Sequence, residues 1–251
     1  MLFLGSTINT FAQQDNKSHT YVLIHGAFHG GWCWQMVSKE LRSKGNIVYT
    51  PTLSGQGERR NTLDTTINLE THIQDVINTI VMEDLHDVIL VGHSYAGAVI
   101  AGVADQIPER LSKLVFLDAL IVENGESAND LNPADVVDGF RKASLKKDNG
   151  LSIPLLSSEF FGVTDSATIK WADVRLTNQP YRTFSQKLVL KKPYGNNVPI
   201  TYIACIRPEL RAIQRSVDIA KAKQGWKYLE INTGHDAMLT KPVDLAKLLL
   251  N

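Results

Sequence analysis

Short apolar runs alternate with longer amphipathic stretches along most of this chain. The runs have the length of buried strands and lie at residues 21–24, 47–49, 88–91, 114–117, 200–204 and 227–231. Between them apolar positions recur at helical spacing, as in residues 68–82, where Leu69, Ile73 and Val76 share one face. Strands that alternate with helices predict an α/β fold, with a mostly parallel six-stranded sheet and helices on both faces.

This alternation stops between about residues 121 and 197, a stretch that is amphipathic, contains aromatic residues and has no clear strand. We interpret it as a helical cap inserted after the fourth strand. A chain of 251 residues fits one domain. We therefore assign residues 20–251 to a single domain with a cap insertion at about 121–197, and residues 1–19 to a leader.

The leader has two interpretations. Residues 2–12 are mildly apolar and end in Thr10-Phe11-Ala12, which resembles a cleavage site, but no positive charge precedes them. They fit a signal peptide whose first residues are missing, which implies export to the periplasm or the medium, or a disordered leader on a cytoplasmic protein. No run of about eighteen apolar residues occurs, so no membrane span is predicted.

Residues 88–100 carry the most informative motif. A buried strand, 88–91, runs into Gly92, His93, Ser94, Tyr95, Ala96 and Gly97, followed by a helical stretch of small residues. A Ser at a sharp strand-to-helix turn between small residues is typical of a nucleophile elbow, G-x-S-x-G, with Ala96 here in the last position. The alternative is a Ser that merely caps an ordinary helix.

Composition narrows the choice of partner. Lys plus Arg and Asp plus Glu number 26 each, without a large basic cluster, which disfavours nucleic acid and anionic membranes. Cys33 and Cys205 lie far apart without metal-ligand spacing, so neither a disulfide framework nor a metal site is predicted. We expect a small-molecule substrate and no cofactor, and consider a homodimer compatible with the sequence.

Polar residues that follow the strands suggest a catalytic triad. Parallel strands bring such residues to one edge of the sheet, where ligands bind. Ser94 follows the third strand, Asp118 the fourth and His235 the last, so the order is Ser, acid, His. Glu209, after the strand before the last, is the alternative acid. The amides of Ala27 and Tyr95 are the candidates for an oxyanion hole.

These residues stand in longer stretches that resemble the α/β-hydrolase superfamily, and within it the plant methylesterase and hydroxynitrile lyase family and its short bacterial esterase relatives. The stretches are HGAFHGGWCW at 25–34, PTLSGQGER at 51–59, GHSYAG at 92–97, VFLDA at 115–119, FGVTD at 161–165 and TGHDAMLT at 233–240. The resemblance implies an esterase that needs no cofactor. In the plant members the acid follows the later strand, whereas some bacterial relatives use the Asp of VFLDA, which is Asp118 here.

Two positions separate esterases from lyases in that family. Lyases carry Thr or Asn after the first His, and the Thr type carries Lys beside the catalytic His. This chain has Gly26 and Asp236 instead, which favours the esterase.

Aromatic residues are candidates for lining an apolar substrate pocket. We select Phe28, Trp32, Phe161 and Trp171, and also consider Phe160 and Phe184 of the cap. The leading hypothesis is a serine-dependent carboxylic ester hydrolase, which acts on a small, largely apolar ester through an acyl-enzyme intermediate. The alternatives are a hydroxynitrile lyase and a slow, small-molecule-binding, hydrolase-like receptor.

Overall fold

The computed structural model describes residues 18–251, so the predicted leader lies almost entirely outside the described residues. The strands are β1 (Thr20–Ile24), β2 (Ile47–Tyr49), β3 (Val88–His93), β4 (Leu111–Leu117), β5 (Ser152–Ile153), β6 (Gln179–Pro180), β7 (Ile200–Cys205) and β8 (Lys227–Ile231). The α-helices are α1 (Gln35–Ser43), α2 (Leu69–Met82), α3 (Ala96–Gln106), α4 (Ala134–Asp148), α5 (Ser166–Asp173), α6 (Tyr181–Ser185), α7 (Gln214–Ala222), α8 (Ala237–Thr240) and α9 (Pro242–Leu249).

Six strands form one parallel sheet in the order β2-β1-β3-β4-β7-β8. Every predicted strand is present, and β3 and β4 extend beyond the apolar runs from which they were predicted. The predicted α/β class with a mostly parallel six-stranded sheet is therefore confirmed.

Side-chain alternation divides the core between the two faces of this sheet. In β1, Tyr21 and Leu23 point to one face and Val22 and Ile24 to the other. Helices α1 and α9 cover the first face and pack against each other, while α2 and α3 cover the second. Because both faces are covered, the strands are apolar throughout rather than at alternate positions.

The insertion between β4 and β7 contains the helices α4, α5 and α6. It also contains a small antiparallel pair, β5 with β6, which the sequence did not predict. Each of these strands has only two residues, too few to show an alternating pattern.

The register of β3 and β4 positions the candidate site. His93 pairs with Leu117, so the next residues along the chain, Ser94 and Asp118, leave neighbouring strands at the same edge of the sheet. Within residues 18–251, no helix combines the length and the apolar character needed to cross a membrane.

Candidate active site

Ser94 occupies a sharp turn between β3 and α3. Its backbone is left-handed, with φ 56°, a conformation that costs a non-glycine residue about 1–3 kcal/mol. Its amide donates to the Leu117 carbonyl at 3.2 Å, and its carbonyl accepts the Leu120 amide at 2.9 Å. The chain that leaves β4 therefore holds the turn, and Ser94 lies half-buried at the wall of a cavity.

The small residues around this turn are required by close backbone contacts. A Cβ at Gly92 would lie 2.8 Å from the Ala96 carbonyl oxygen, and one at Gly97 would lie 2.1 Å from that of Leu120. Both positions therefore exclude a side chain.

Asp118 and His235 form a buried pair beside the turn. Oδ2 of Asp118 lies 2.6 Å from Nδ1 of His235, and Oδ1 accepts the Cys205 amide at 3.0 Å. Only about 2% of each of the two side chains is exposed. Because an ionised carboxylate only accepts hydrogen bonds, it holds the proton of His235 on Nδ1 and leaves Nε2 as a base.

The Nε2 atom of His235 is buried and has no hydrogen-bond partner within residues 18–251. The Ser94 hydroxyl likewise forms no hydrogen bond with a described residue, so the structure shows no direct Ser–His bond. Such bonds are often long in the absence of substrate and tighten when it binds. The ring of Phe161 covers His235, with centroids 5.8 Å apart.

Glu209, the alternative acid, is exposed and forms no hydrogen bond with His235. The residue lies past the end of β7 and beyond Pro208, where the chain has turned out to solvent. Its carboxylate therefore does not serve as the partner of His235 in this structure.

Ala27 and Tyr95, whose amides are the candidate oxyanion donors, both line the cavity. Within residues 18–251 neither amide donates to another group, whereas the neighbouring Phe28 amide is bound to Oε1 of Gln179 at 3.1 Å. The Phe28 carbonyl accepts the Thr177 amide at 2.8 Å. The cap thus fixes the loop after β1 while two amides stay available.

A largely apolar cavity of about 530 Å³ lies against Ser94. Its walls come from the sheet edge, the cap and the segment after β7. They include Ala27, Phe28, Ser94, Tyr95, Leu120, Asn132, Val136, Phe140, Leu156, Phe160, Phe161, Phe184, Leu210, Arg211 and Ile213.

Two of the selected aromatic residues, Phe28 and Phe161, line this cavity, and two do not. Trp32 and Trp171 pack edge to face with centroids 5.3 Å apart, and the Arg175 guanidinium lies over Trp171. Neither residue therefore lines the cavity beside Ser94, and a role for them in substrate binding stays a prediction.

Sequence reasoning missed several lining residues, including Phe140, Leu156 and Arg211. Phe140 belongs to α4, and its amphipathic pattern indicated a helix but not what the helix faces. Arg211 is exposed at the cavity and had no distinguishing signal in the sequence.

Two further buried histidines have uncharged side chains that bind backbone groups. Nδ1 of His25 donates to the Gly26 carbonyl at 2.8 Å and Nε2 accepts the Leu53 amide at 3.0 Å, and burial lowers the pKa of His25 to about 3. His93, next to Ser94, donates from Nε2 to the His235 carbonyl at 3.1 Å, and burial lowers its pKa well below the usual value. Both therefore hold backbone in place.

No group of three or more metal-ligating side chains suited to an ion occurs among residues 18–251. The site offers instead a hydroxyl on a strained turn, a carboxylate-bound imidazole and two free amides beside an apolar cavity. On a parallel sheet covered by helices, these features define an α/β-hydrolase. The chain belongs to the alpha/beta hydrolase family, whose model matches residues 21–248.

Known relatives agree with this assignment. The chain is 37% identical over 237 residues to the carbendazim hydrolyzing esterase of Nocardioides sp., covering 91% of this chain and 97% of that one. It is 26% identical to methylesterase 10 of Arabidopsis thaliana, covering 96% and 94%.

Among solved structures, an extracellular α/β-hydrolase from a Paenibacillus species, described as a structural and functional homologue of tobacco salicylic acid binding protein 2, is 28% identical with a TM-score of 0.81. The alignment covers 92% of this chain and 98% of that one. The predicted resemblance and the carboxylesterase-type hydrolase class are thus confirmed.

Proposed function

We propose that this protein hydrolyses small, largely apolar carboxylic esters through an acyl-enzyme intermediate on Ser94. The observation that carries the proposal is the buried Asp118–His235 pair at 2.6 Å beside a Ser on a strained turn. Such a pair keeps the imidazole in the tautomer that can accept a proton from a hydroxyl.

The reaction has two halves. In the first, Ser94 Oγ attacks the ester carbonyl carbon while its proton passes to Nε2 of His235. The oxyanion is stabilised by the amides of Ala27 and Tyr95. The tetrahedral intermediate collapses when His235 gives that proton to the departing alcohol, which leaves the acyl group on Ser94. In the second half His235 activates a water molecule, which releases the acid and restores Ser94.

The cavity supports an apolar substrate. Most of its lining side chains are aliphatic or aromatic, and a volume of about 530 Å³ lies within the usual range for pockets that bind small molecules. The name of the plant relative, a methylesterase, supports an ester with a small alcohol. The name of the Nocardioides relative makes carbendazim a further compound to test.

A panel of methyl and p-nitrophenyl esters of graded acyl length, with carbendazim, tests the proposal on the wild type, Ser94→Ala and Ser112→Ala. Ser112 is an exposed serine at the far end of β4 and serves as the matched control. We expect Ser94→Ala to lose at least about 10³-fold in kcat and Ser112→Ala to match the wild type. Mass spectrometry should find the acyl group on the Ser94 peptide. Full activity in Ser94→Ala refutes the mechanism.

Two further assays on the same variants separate the alternatives. A lyase would release benzaldehyde from mandelonitrile, and a receptor would bind the acid tightly without turnover. We expect neither result. Two expectations about partners remain predictions. That the protein binds no nucleic acid can be checked by gel shift, and that it can form a homodimer can be checked by analytical ultracentrifugation.

A further inference from the structure

A second buried His–Asp pair lies beside the first. Nε2 of His29 is 3.2 Å from Oδ2 of Asp236, and Nδ1 is 2.7 Å from the Ala27 carbonyl oxygen. Both side chains are almost fully buried, with exposed fractions of 2% and 0%. An ionised carboxylate and a carbonyl oxygen only accept hydrogen bonds, so both ring nitrogens must donate. With Asp236 ionised, His29 is an imidazolium and the pair is ionic.

The charges around His29 agree with this state. Burial by itself lowers the pKa of His29, but the charge and hydrogen bond of Asp236, together with the Ala27 carbonyl, outweigh burial and raise it. The other titratable groups near the pair are Asp173, His25, His93, His235, Cys33 and Cys205. Of these, Asp173 adds negative charge, while burial keeps His25 and His93 neutral.

The pair joins two parts of the candidate site that are far apart in sequence. Its members are separated by 207 positions. His29 holds the carbonyl of Ala27, whose amide is a candidate oxyanion donor. Asp236 follows His235 directly, and its amide donates to the carbonyl of Phe161 at 3.2 Å. One ion pair thus connects the loop after β1 to the turn that carries the base.

Asp236 depends on His29 for its charge balance. Its other oxygen, Oδ1, is buried without a hydrogen-bond partner within residues 18–251, and Nε2 of His93 is 3.9 Å away. That nitrogen donates to the His235 carbonyl instead. Loss of the proton from His29 would therefore leave a buried carboxylate without a counter-charge, which is strongly unfavourable. The turn would then move to relieve it.

We propose that His29 and Asp236 are positioning residues, whose buried ion pair fastens the turn of His235 to the loop of Ala27, and that turnover is complete only while His29 is protonated. The inference rests on the proposed function, since it concerns the geometry of the same site. The pair is present below the pKa of His29 and is lost as the pH rises through that raised value. kcat should therefore fall on the alkaline side.

The wild-type enzyme alone provides the first test. Nuclear magnetic resonance of ¹⁵N-labelled histidines gives the protonation state of His29 across pH, and kcat for the best ester of the panel is measured over the same range. We expect both ring nitrogens to be protonated at pH 7, and the alkaline fall in kcat to coincide with the titration of His29. A neutral His29 at pH 7, or two transitions more than about one pH unit apart, overturns the proposal.

Asp236→Asn provides the second test. Without the carboxylate, burial keeps His29 neutral, so kcat should fall at least about tenfold at pH 7 with KM nearly unchanged, and the alkaline fall should disappear. The matched control is Asp84→Asn, because Asp84 lies 3.2 Å from His86 in an exposed pair. The control should keep the wild-type profile. An alkaline fall that persists unchanged in Asp236→Asn also overturns the proposal.

The two proposals fail in different ways. If Ser94→Ala keeps its activity, the proposed function fails whatever the state of His29. If Ser94→Ala is inactive and His29 is neutral at pH 7, only the present inference fails. The measurement on the wild type decides it even if Asp236→Asn does not fold.

Discussion

Asp118→Asn removes the charge behind His235 while it preserves the size of the side chain. The asparagine oxygen can still accept the Cys205 amide, which now bonds Oδ1 at 3.0 Å. The amide NH₂ would then face Nδ1 of His235 and force the proton onto Nε2. In that tautomer the imidazole cannot accept the proton of Ser94, so acylation should slow sharply.

The size of the loss follows from the geometry. A carboxylate 2.6 Å from an imidazolium gains about 6 kcal/mol at an effective dielectric constant of about 20. At about 1.4 kcal/mol per factor of ten, this corresponds to a loss of roughly 10⁴ in kcat, similar to that seen when a triad Asp becomes Asn.

The assay is kcat on the best ester of the panel, with thermal melting to confirm that the variant is folded. Glu209→Gln is the matched control, because Glu209 is the other acid in the region and is exposed. We expect it to retain at least about half of the wild-type kcat. Asp118→Asn with more than a tenth of wild-type activity, or an equal loss in Glu209→Gln, would refute the assignment of the acid.

Three further predictions follow from the packing and the buried histidines. Gly26→Ala places a Cβ 2.8 Å from the Cβ of Ser94. The free energy of unfolding in urea should therefore fall by about 1–3 kcal/mol, and kcat should fall as well. Unchanged values would contradict the close contact. His25 and His72 have pKa values lowered by burial to about 3 and about 4, so between pH 7 and 5 the unfolded state gains protons that the folded state does not. Urea unfolding should then show a loss of about 2 kcal/mol for each of them at pH 5, and equal stability at the two pH values would be evidence against this. Trp171→Ala should leave KM within about twofold, because its ring lies outside the cavity, and a large rise in KM would place it back in the pocket.

Much of the fold could be predicted from local pattern. Each strand of the main sheet is recognisable in the sequence as an apolar run between helical stretches, because a parallel sheet covered on both faces needs apolar side chains at successive positions. The elbow was also visible, since close backbone contacts exclude large residues around Ser94. The strands β5 and β6 were not visible, because they have two residues each.

The substrate cavity was harder to predict. Aromatic residues in the cap and first loop look alike in sequence, yet Phe28 and Phe161 face the cavity while Trp32 and Trp171 pack against each other. A hydrophobic side chain can be buried equally well in a core or at a pocket wall, so the type of residue does not distinguish the two locations.

The sequence by itself determined the order of strands and helices, the strained Ser between small residues and the candidates for acid and base, because these depend on neighbours along the chain. Only the tertiary structure decided which carboxylate meets His235, since Asp118 and Glu209 both follow strands and only the register and the exit of the chain separate them. It alone also brought His29 to Asp236. The Asp118–His235 and His29–Asp236 contacts span 117 and 207 positions. They depend on how the sheet is assembled, which local sequence preferences do not determine.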